Sequence, residues 1–418
     1  MAIAVSDDTR TTGGSRPLWR NRDFALLWSG QTVSTLGTTA SQIVYSLLIL
    51  ALTNSPAAAG LASALHAVPY LLLSLPVGAL IDRWDRKRVM ILCDVGRALT
   101  IATIPVALWL GVLTVWQLYL CAFVEGSLFV LFNIAEVAAL PRVVEKEKLP
   151  EAAAMNEVAY GVASVVGPSF GTVLYQAFGR ALPFVADAIS YVVSIVSLTF
   201  IKTEFQTARD ATPRRSLRAE VAEGMRWLWS TPLIRYMALL VGGLNLVEAG
   251  APLLVIVLAK ALGAQDSQIG IVFSVGGVGA IVGSLIGGQV QKRASFGRVV
   301  IGSTWAMALL FFLYAVAPGL LWLGLVTALS MMIGPIFNVT QFSYRLALIP
   351  DELQGRVNST FRLLAFGLNP LGAALSGVLI QYVGAVPTVI VFGAWLLGLA
   401  FLTTLNPDVR NARAIESA

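Results

Sequence analysis

Apolar stretches of about 20 residues recur along the whole chain, and they constrain its fold more than any other feature. A helix of about 20 apolar residues crosses the hydrocarbon core of a bilayer, and inside lipid a helix pairs its own backbone N–H and C=O groups. The chain is 57% hydrophobic and only 12% charged. We therefore expect an all-α membrane protein with twelve transmembrane helices. The spans, numbered 1 to 12, cover approximately 24–52, 57–81, 89–111, 114–138, 157–178, 184–201, 233–258, 268–290, 299–317, 320–344, 358–383 and 388–405.

The 29 Lys and Arg residues are distributed unevenly around these spans. Most lie in the N-terminal tail, in the even-numbered gaps between spans and in the C-terminal tail, whereas only Arg180 and Lys260 fall in odd-numbered gaps. Cytoplasmic loops carry the excess of Lys and Arg in membrane proteins. We therefore expect a multi-pass protein of the cell membrane with both termini in the cytoplasm. The net charge of +6 then reports orientation in the bilayer and not a nucleic-acid partner.

A long polar gap divides six spans from six and sets the expected domain organisation. We expect a cytoplasmic tail at 1–23, an N-terminal bundle at 24–201, a central cytoplasmic loop at 202–232, a C-terminal bundle at 233–405 and a cytoplasmic tail at 406–418. Leu217, Val221, Met225, Leu228 and Trp229 share one helical face in the central loop. That pattern predicts an amphipathic helix, which lies either on the membrane surface or within a plain linker.

The two halves of the chain resemble each other. ALLWSGQTVSTLG at 25–37 matches ALLVGGLNLVEAG at 238–250, and LFNIAE at 131–136 matches IFNVTQ at 336–341. An asparagine also precedes a proline by the same interval in both halves, at 156–168 and 358–370. Three matches in the same order indicate a duplicated six-helix unit. Duplicated halves are common in secondary transporters, whose substrate site lies between them near the bilayer midplane.

Six charges fall within seven residues between spans 2 and 3, in the stretch GALIDRWDRKR at 78–88. This stretch resembles the signature loop of the major facilitator superfamily, Gly-x-x-x-Asp-Arg-x-Gly-Arg-Arg/Lys, although Asp85 stands where a glycine is usual. GVASVVGPSFG at 161–171 is similar to the Gly-Pro motif of its antiporter branches. LWRNRDFALLWSGQTVSTLG looks most like the macrolide and siderophore exporters of the drug:proton antiporter branch. The resemblance implies two pseudo-symmetric six-helix bundles, alternating access and a monomer.

The sequence departs from that family pattern at three places. Span 4 of drug:proton antiporters usually carries an arginine four residues before a glycine, but here Ala122 precedes Gly126 and Glu125 is adjacent. Thr38 follows Gly37 where many relatives have aspartate. The loop 287–298 in the second half keeps its basic residues without an aspartate. We infer that the halves are not functionally equivalent.

The gating candidates lie in the charged loop, in span 3 and in the Gly-Pro motif. Asp82 can cap span 2 or pair with a charge across the cytoplasmic mouth, and Arg86 is within reach of a carboxylate on a neighbouring helix. The resemblance implies that this pairing helps to hold one conformation. We expect Arg83, Lys87 and Arg88 to anchor the topology. Asp94 and Arg97 share a helical face and can pair. The full set of gating candidates is Gly78, Asp82, Arg83, Arg86, Asp94, Arg97, Gly167 and Pro168. Small residues allow close helix packing, and the family fold implies that Gly279, Gly283 and Gly287 of span 8 face the glycines of span 5.

Carboxyl groups inside apolar spans are costly, which makes them candidates for proton coupling. Glu125 and Glu248 are the first candidates and Glu136 is the third, although Glu136 could instead partner Arg86. Asp187 is expected to be solvated, because it lies near the outer end of span 6, where that span begins. His66, the single histidine, is expected to be a hydrogen-bonded structural residue.

Polar residues among aromatics on spans 1, 4, 7 and 10 are the candidates for the substrate cavity. An apolar wall with few polar anchors suits amphipathic organic molecules. For the asparagines of spans 4 and 10, interhelical hydrogen bonding is the competing interpretation. The candidates are Gln31, Gln42, Phe129, Asn133, Asn245, Phe337, Asn338 and Gln341.

These features together favour a secondary active transporter, a proton-coupled exporter of lipophilic or amphipathic small molecules. The alternatives are an importer, an uncoupled facilitator and, in another class, a channel. No phosphate-binding GxxxxGK[ST] motif occurs, and no nucleophile–base pair indicates an enzyme. One histidine and two separated cysteines predict no metal site and no cofactor.

Overall fold

The computed structural model describes residues 18–81, 83–206 and 217–412, and within them the chain is helical without any strand. Three short 3-10 turns accompany fifteen α-helices in these residues. The helices are α1 Arg22–Thr53, α2 Pro56–Ile81, α3 Arg86–Trp109, α4 Val115–Val143, α5 Leu149–Phe178, α6 Leu182–Phe200, α7 Leu217–Ser230, α8 Pro232–Ala261, α9 Asp266–Arg293, α10 Phe296–Phe312, α11 Leu320–Leu348, α12 Gln354–Phe366, α13 Asn369–Val383, α14 Ala385–Leu405 and α15 Pro407–Arg410.

The predicted twelve-span architecture is confirmed. Helices α1–α6 correspond to spans 1–6, α8–α11 to spans 7–10, α12 with α13 to span 11, and α14 to span 12. In the described part of the chain, eleven segments are long and apolar enough to cross a bilayer, and α10 is a shorter apolar helix of 17 residues. Helix α5 begins eight residues before its predicted span, at Leu149 and not at 157. A helix continues past the apolar layer, whereas the hydropathy signal ends with that layer.

Span 11 is broken, although a single helix was expected. Helix α12 ends at Phe366 and α13 begins at Asn369, with Gly367 and Leu368 between them. Pro370 occupies the first turn of α13. Proline has no N–H to donate to the carbonyl four residues earlier, so the hydrogen-bond ladder is interrupted at this point. Pro168 in the other half lies inside the continuous helix α5.

The helices form two six-helix bundles. In the N-terminal bundle, α1 packs on α5 and α6, α2 packs on α4, and α3 packs on α4 and α6. In the C-terminal bundle, α9 packs on α11, α10 packs on α11 and α14, and α8 packs on α12, α13 and α14. Helix α7 lies against α12, and Gly224 meets the backbone of Arg356 there.

The most extensive contacts between the bundles are those of α5 with α9 and of α2 with α13. Gly60 lies where an added Cβ would be 2.8 Å from the Cα of Gly377. The hydroxyls of Ser169 and Ser274 are hydrogen-bonded at 2.7 Å, and Gln176 donates to Gln265 at 2.9 Å. All of these residues lie toward the predicted outer ends of their helices. The bundles are therefore held together on the predicted outer side.

The glycines of α9 do not face α5 as expected. Gly279 and Gly283 pack on the backbone of Ala328 and Met332 in α11, and Gly287 also lies against α11. The α5–α9 contact uses Gly270 and Gly277, which meet Pro168 and Ser164. Gly167 and Gly171 lie against Thr39 and Ala40 of α1. The expected contact between spans 5 and 8 is present, but the glycines assigned to it were wrong.

Candidate functional site

A buried group of charged side chains occupies the centre of the N-terminal bundle. We call His66, Asp94, Arg97, Glu125 and Tyr191 the N-bundle charge cluster. These residues come from α2, α3, α4 and α6. Asp94, Arg97, Glu125 and Tyr191 are each less than 8% exposed, whereas the His66 side chain is 39% exposed. His66 is therefore the member of the cluster that is most accessible from outside the bundle.

Glu125 is the centre of this cluster. Its Oε1 accepts hydrogen bonds from Nη2 of Arg97 at 2.8 Å, from Nε of Arg97 at 3.1 Å and from the hydroxyl of Tyr191 at 3.3 Å. Its Oε2 is paired with Nε2 of His66. Charge-assisted hydrogen bonds are stronger than neutral ones. Both oxygens of Glu125 thus bind side chains from neighbouring helices.

Asp94 extends the cluster toward α1. Its Oδ1 lies 3.7 Å from Nη1 of Arg97, which is the expected pairing on one helical face. Its Oδ2 accepts from the hydroxyl of Ser194 at 2.6 Å, and Ser194 in turn accepts from Nε2 of Gln31 at 3.0 Å. Gln31, a cavity candidate, is therefore engaged inside the bundle.

A third buried carboxyl, Asp187, lies one turn before Tyr191 on α6. Asp187 is 1% exposed, so the expectation that it is solvated was wrong. Its Oδ2 accepts from the hydroxyl of Ser41 at 2.5 Å and its Oδ1 from that of Ser190 at 3.4 Å. Arg97 and Glu125 are close enough to interact with it electrostatically. Asp187 was missed because its position near the start of α6 suggested an interfacial residue.

Gly126 explains how His66 reaches Glu125. A Cβ at Gly126 would collide with the backbone carbonyl of His66, so the glycine lets α2 and α4 touch. Span 4 lacks the arginine that is usual in drug:proton antiporters, and Arg97 of the neighbouring helix α3 binds Glu125 directly. Its guanidinium also lies 4.2 Å from the Tyr191 ring centre and 5.6 Å from that of Phe129.

Glu136 lies three turns further along α4 than Glu125. It is half-buried and close enough to interact electrostatically with Asp94 and Arg97. Arg86, the partner considered for it, donates from Nη1 to the carbonyls of Ala138 at 2.8 Å and Phe205 at 3.3 Å.

Charged residues near the loop between α2 and α3 bind backbone groups at the ends of helices. Asp82 lies outside the described residues, so its expected role as a cap or charge partner at the cytoplasmic mouth stays a prediction. Asp85 caps the N-terminus of α3 by accepting from the backbone N–H of Arg88 at 3.0 Å, which gives its carboxylate a structural role. Lys87 donates to the carbonyl of Ile201 at 2.6 Å, beyond the C-terminal end of α6. Gly78 faces open space, and Arg83 is exposed.

In the C-terminal bundle, Glu248 stands apart from other charged groups of that bundle. It is exposed on α8 and close enough to interact electrostatically with the hydroxyl of Tyr160 on α5. Asn245, one turn earlier, donates to the carbonyl of Ala365 in α12 at 2.8 Å, which is an interhelical structural bond. Glu248 therefore lies on the surface that faces the N-terminal bundle.

The remaining cavity candidates do not converge on one surface. Phe337 is 2% exposed and packs in the core of the C-terminal bundle, and Gln341 is 8% exposed beside Arg345. Gln42, Phe129 and Asn338 are exposed, and Asn133 is half-buried. The structure thus leaves those four at or near accessible surfaces and takes Gln31, Phe337 and Gln341 into the bundles.

Three comparisons place the chain among known proteins. The family model described as transmembrane secretion effector matches residues 12–418. The multidrug efflux pump Tap of Mycolicibacterium fortuitum is 26% identical, covering 93% of this chain and 95% of its own. The enterobactin exporter EntS of Salmonella typhi is 27% identical, covering 79% of each chain. In fold, the nucleoside transporter NupG superposes with a TM-score of 0.74 at 13% identity, covering 91% of this chain and 98% of its own. The chain therefore belongs to the transmembrane secretion effector family of the major facilitator superfamily and is a multi-pass membrane transporter.

Proposed function

We propose that this transporter is a proton-coupled exporter of lipophilic or amphipathic small molecules. The observation that carries the proposal is the charge balance around Arg97. Asp94, Glu125 and Asp187 are three buried carboxyls, and the cationic groups near them are one buried guanidinium and one imidazole. Even with His66 protonated, full ionisation leaves an excess negative charge, which is costly to bury. A bound proton would neutralise the group.

His66 provides a path for that proton. Its side chain is 39% exposed and contacts Glu125, so a proton taken up from water at His66 can reach the buried carboxyl. Export is favoured over import because relatives of this chain are named as an efflux pump and an exporter.

Proteoliposomes test the coupling directly. We expect a pH gradient across the vesicle membrane to drive uptake of ethidium or enterobactin by inside-out protein, with collapse of the gradient abolishing it. Glu125→Gln and Asp187→Asn should each remove the gradient-dependent component, whereas Asp408→Asn, an exposed carboxyl near the C-terminus, should leave it unchanged. Flux of both probes that is insensitive to the gradient would indicate a facilitator, and steady single-channel currents would indicate a channel.

We also propose that the protein is a monomer with both termini in the cytoplasm. The distribution of Lys and Arg supports this orientation. Fluorescent-protein fusions to each terminus should fluoresce, and alkaline-phosphatase fusions should be inactive. The mass of the protein in nanodiscs should correspond to one 44.5 kDa chain.

A further inference from the structure

A buried arginine in the C-terminal bundle forms no ion pair with a carboxylate in the part of the chain that the structure describes. Arg345 lies three residues before the end of α11 and is 6% exposed. Its Nη1 reaches Oε1 of Gln341 at 3.4 Å, and its Nε is buried without a hydrogen-bond partner. None of the ion pairs among the described residues includes Arg345.

Two aromatic rings contact this guanidinium where an anion would be expected. Its central carbon lies 3.8 Å from the ring centre of Phe361 and 5.2 Å from that of Phe342. The attraction of a cation to an aromatic ring is smaller than the free-energy cost of burying an unpaired ion. Arg97 is buried to the same degree but is paired with Glu125 and Asp94. The ring contacts of Arg345 therefore do not offset the free-energy cost of burying its charge.

The faces of α11 show where Arg345 can be reached. One face carries Met332 against α9, and another carries Tyr344, whose ring stacks on Phe296 of α10 at 4.0 Å. At 100° per residue, Asn338 and Phe342 lie on the side turned away from both neighbours. Both residues are exposed, Phe342 by 48%. This side of α11 is not covered by α9 or α10, and Arg345 lies one turn beyond Phe342 on the same side.

Helix α12 adds a second positive charge near this position. Arg362 is exposed and close enough to Arg345 to interact with it electrostatically. Arg356, on the same helix, is neutralised by Glu223 at 2.9 Å. Two arginines of like charge therefore lie within electrostatic range of each other, and one of them, Arg345, lies 5.2 Å from the exposed ring of Phe342.

We propose that Arg345 and Arg362 bind the anionic group, a carboxylate or phosphate, of an amphipathic molecule whose apolar part packs on Phe342. An anion between two guanidiniums removes their repulsion and supplies the missing partner of Arg345. Guanidinium groups bind carboxylate and phosphate with two parallel hydrogen bonds. The inference rests on the proposed function only in treating the ligand as cargo, because binding itself requires neither a gradient nor export.

Equilibrium binding of a matched probe pair tests this site. The probes are 1-pyrenebutyrate and its uncharged methyl ester, added to the full chain in phosphatidylcholine nanodiscs and followed by energy transfer from protein tryptophans, with empty nanodiscs as the background. We expect the acid to bind about tenfold more tightly than the ester, as a charge-assisted hydrogen bond implies. Arg345→Gln should remove this preference, and Arg345→Lys should keep part of it. Arg298→Gln, an exposed cation on the predicted cytoplasmic side, should leave it unchanged.

Equal affinity of the wild-type protein for acid and ester would overturn the proposal, as would an intact preference in Arg345→Gln. Should Arg345→Gln fail to fold, Arg362→Gln decides, because the proposal requires its acid affinity to fall severalfold. Phosphatidylglycerol nanodiscs separate the two sources of the anion. Competition by that lipid against the probe identifies a lipid ligand, and gradient-driven flux of the acid identifies cargo. Loss of gradient dependence without loss of acid preference would contradict only the proposed function.

Discussion

Arg97 illustrates how one side chain can connect two buried carboxylates. It donates two hydrogen bonds to Oε1 of Glu125 and lies 3.7 Å from Asp94. The planar guanidinium makes these contacts together, whereas an ammonium is a single compact charge. The cluster is therefore sensitive to the shape of this residue as well as to its charge.

Arg97→Lys should destabilise the protein although the charge is kept. We expect the free energy of unfolding to fall by about 2 kcal/mol, the value of one charge-assisted hydrogen bond. Thermal unfolding in detergent measures the change. The control is Arg298→Lys, since Arg298 is exposed. An unfolding temperature equal to that of the wild type would show that Nε and Nη2 of Arg97 are not both needed.

Gly126→Ala should disrupt the contact between α2 and α4, because the added methyl group would meet the carbonyl of His66. Overpacking typically costs about 1–3 kcal/mol. Gly288→Ala is the matched control, since nothing lies within 4 Å of a Cβ at that helical glycine, and there alanine should stabilise by about 0.5–1 kcal/mol. The yield of monodisperse protein and its unfolding temperature distinguish the two variants. Equal behaviour of both would mean that the close approach at Gly126 is not required.

At the scale of helices, a glycine pattern reveals a packing face without identifying the partner. Gly279, Gly283 and Gly287 recur every four residues, which predicts a stripe of close contact, and that stripe exists. Its partner is α11 and not α5, because the orientation of α9 about its own axis depends on two neighbours at once. The glycines that meet α5, Gly270 and Gly277, lie on another face of α9 and show no comparable spacing to reveal them.

Gly270→Val should prevent α5 and α9 from closing on the predicted outer side. The added side chain would collide with Thr172 and with the carbonyl of Pro168. We expect insertion to remain normal and gradient-driven flux to fall by about tenfold or more, since an obstruction of about 1.4 kcal/mol in the closed state already changes its population tenfold. Gly302→Val, on α10 with no atom within 4 Å of its Cβ, should transport normally. Normal flux in Gly270→Val would show that transport does not require the close contact between α5 and α9 on the predicted outer side.

For the whole molecule, the fold could be predicted from the sequence but much of the site could not. The number of spans follows from the length and hydropathy of each apolar stretch taken by itself. The charge cluster depends on contacts between distant parts of the chain: Arg97 and Glu125 are 28 residues apart, and Ser41 and Asp187 are 146 residues apart. The rule that intramembrane carboxyls are candidates for function singled out Glu125, which lies in the N-bundle charge cluster. It would also have identified Asp187, had the start of α6 been recognised as buried.

The joined outer ends of the two bundles predict that a covalent link there stops transport in one state. Ser169 of α5 and Ser274 of α9 have hydroxyls 2.7 Å apart, so the pair Ser169→Cys and Ser274→Cys should form a disulfide on mild oxidation. Cys93 and Cys121 are buried and should not interfere. The alternating access that the family resemblance implies would require the bundles to separate on this side, so oxidation should abolish gradient-driven flux and reduction should restore it. Each single cysteine variant should be insensitive to the oxidant. Continued flux in the cross-linked protein would contradict a rocking motion of the two bundles about this contact.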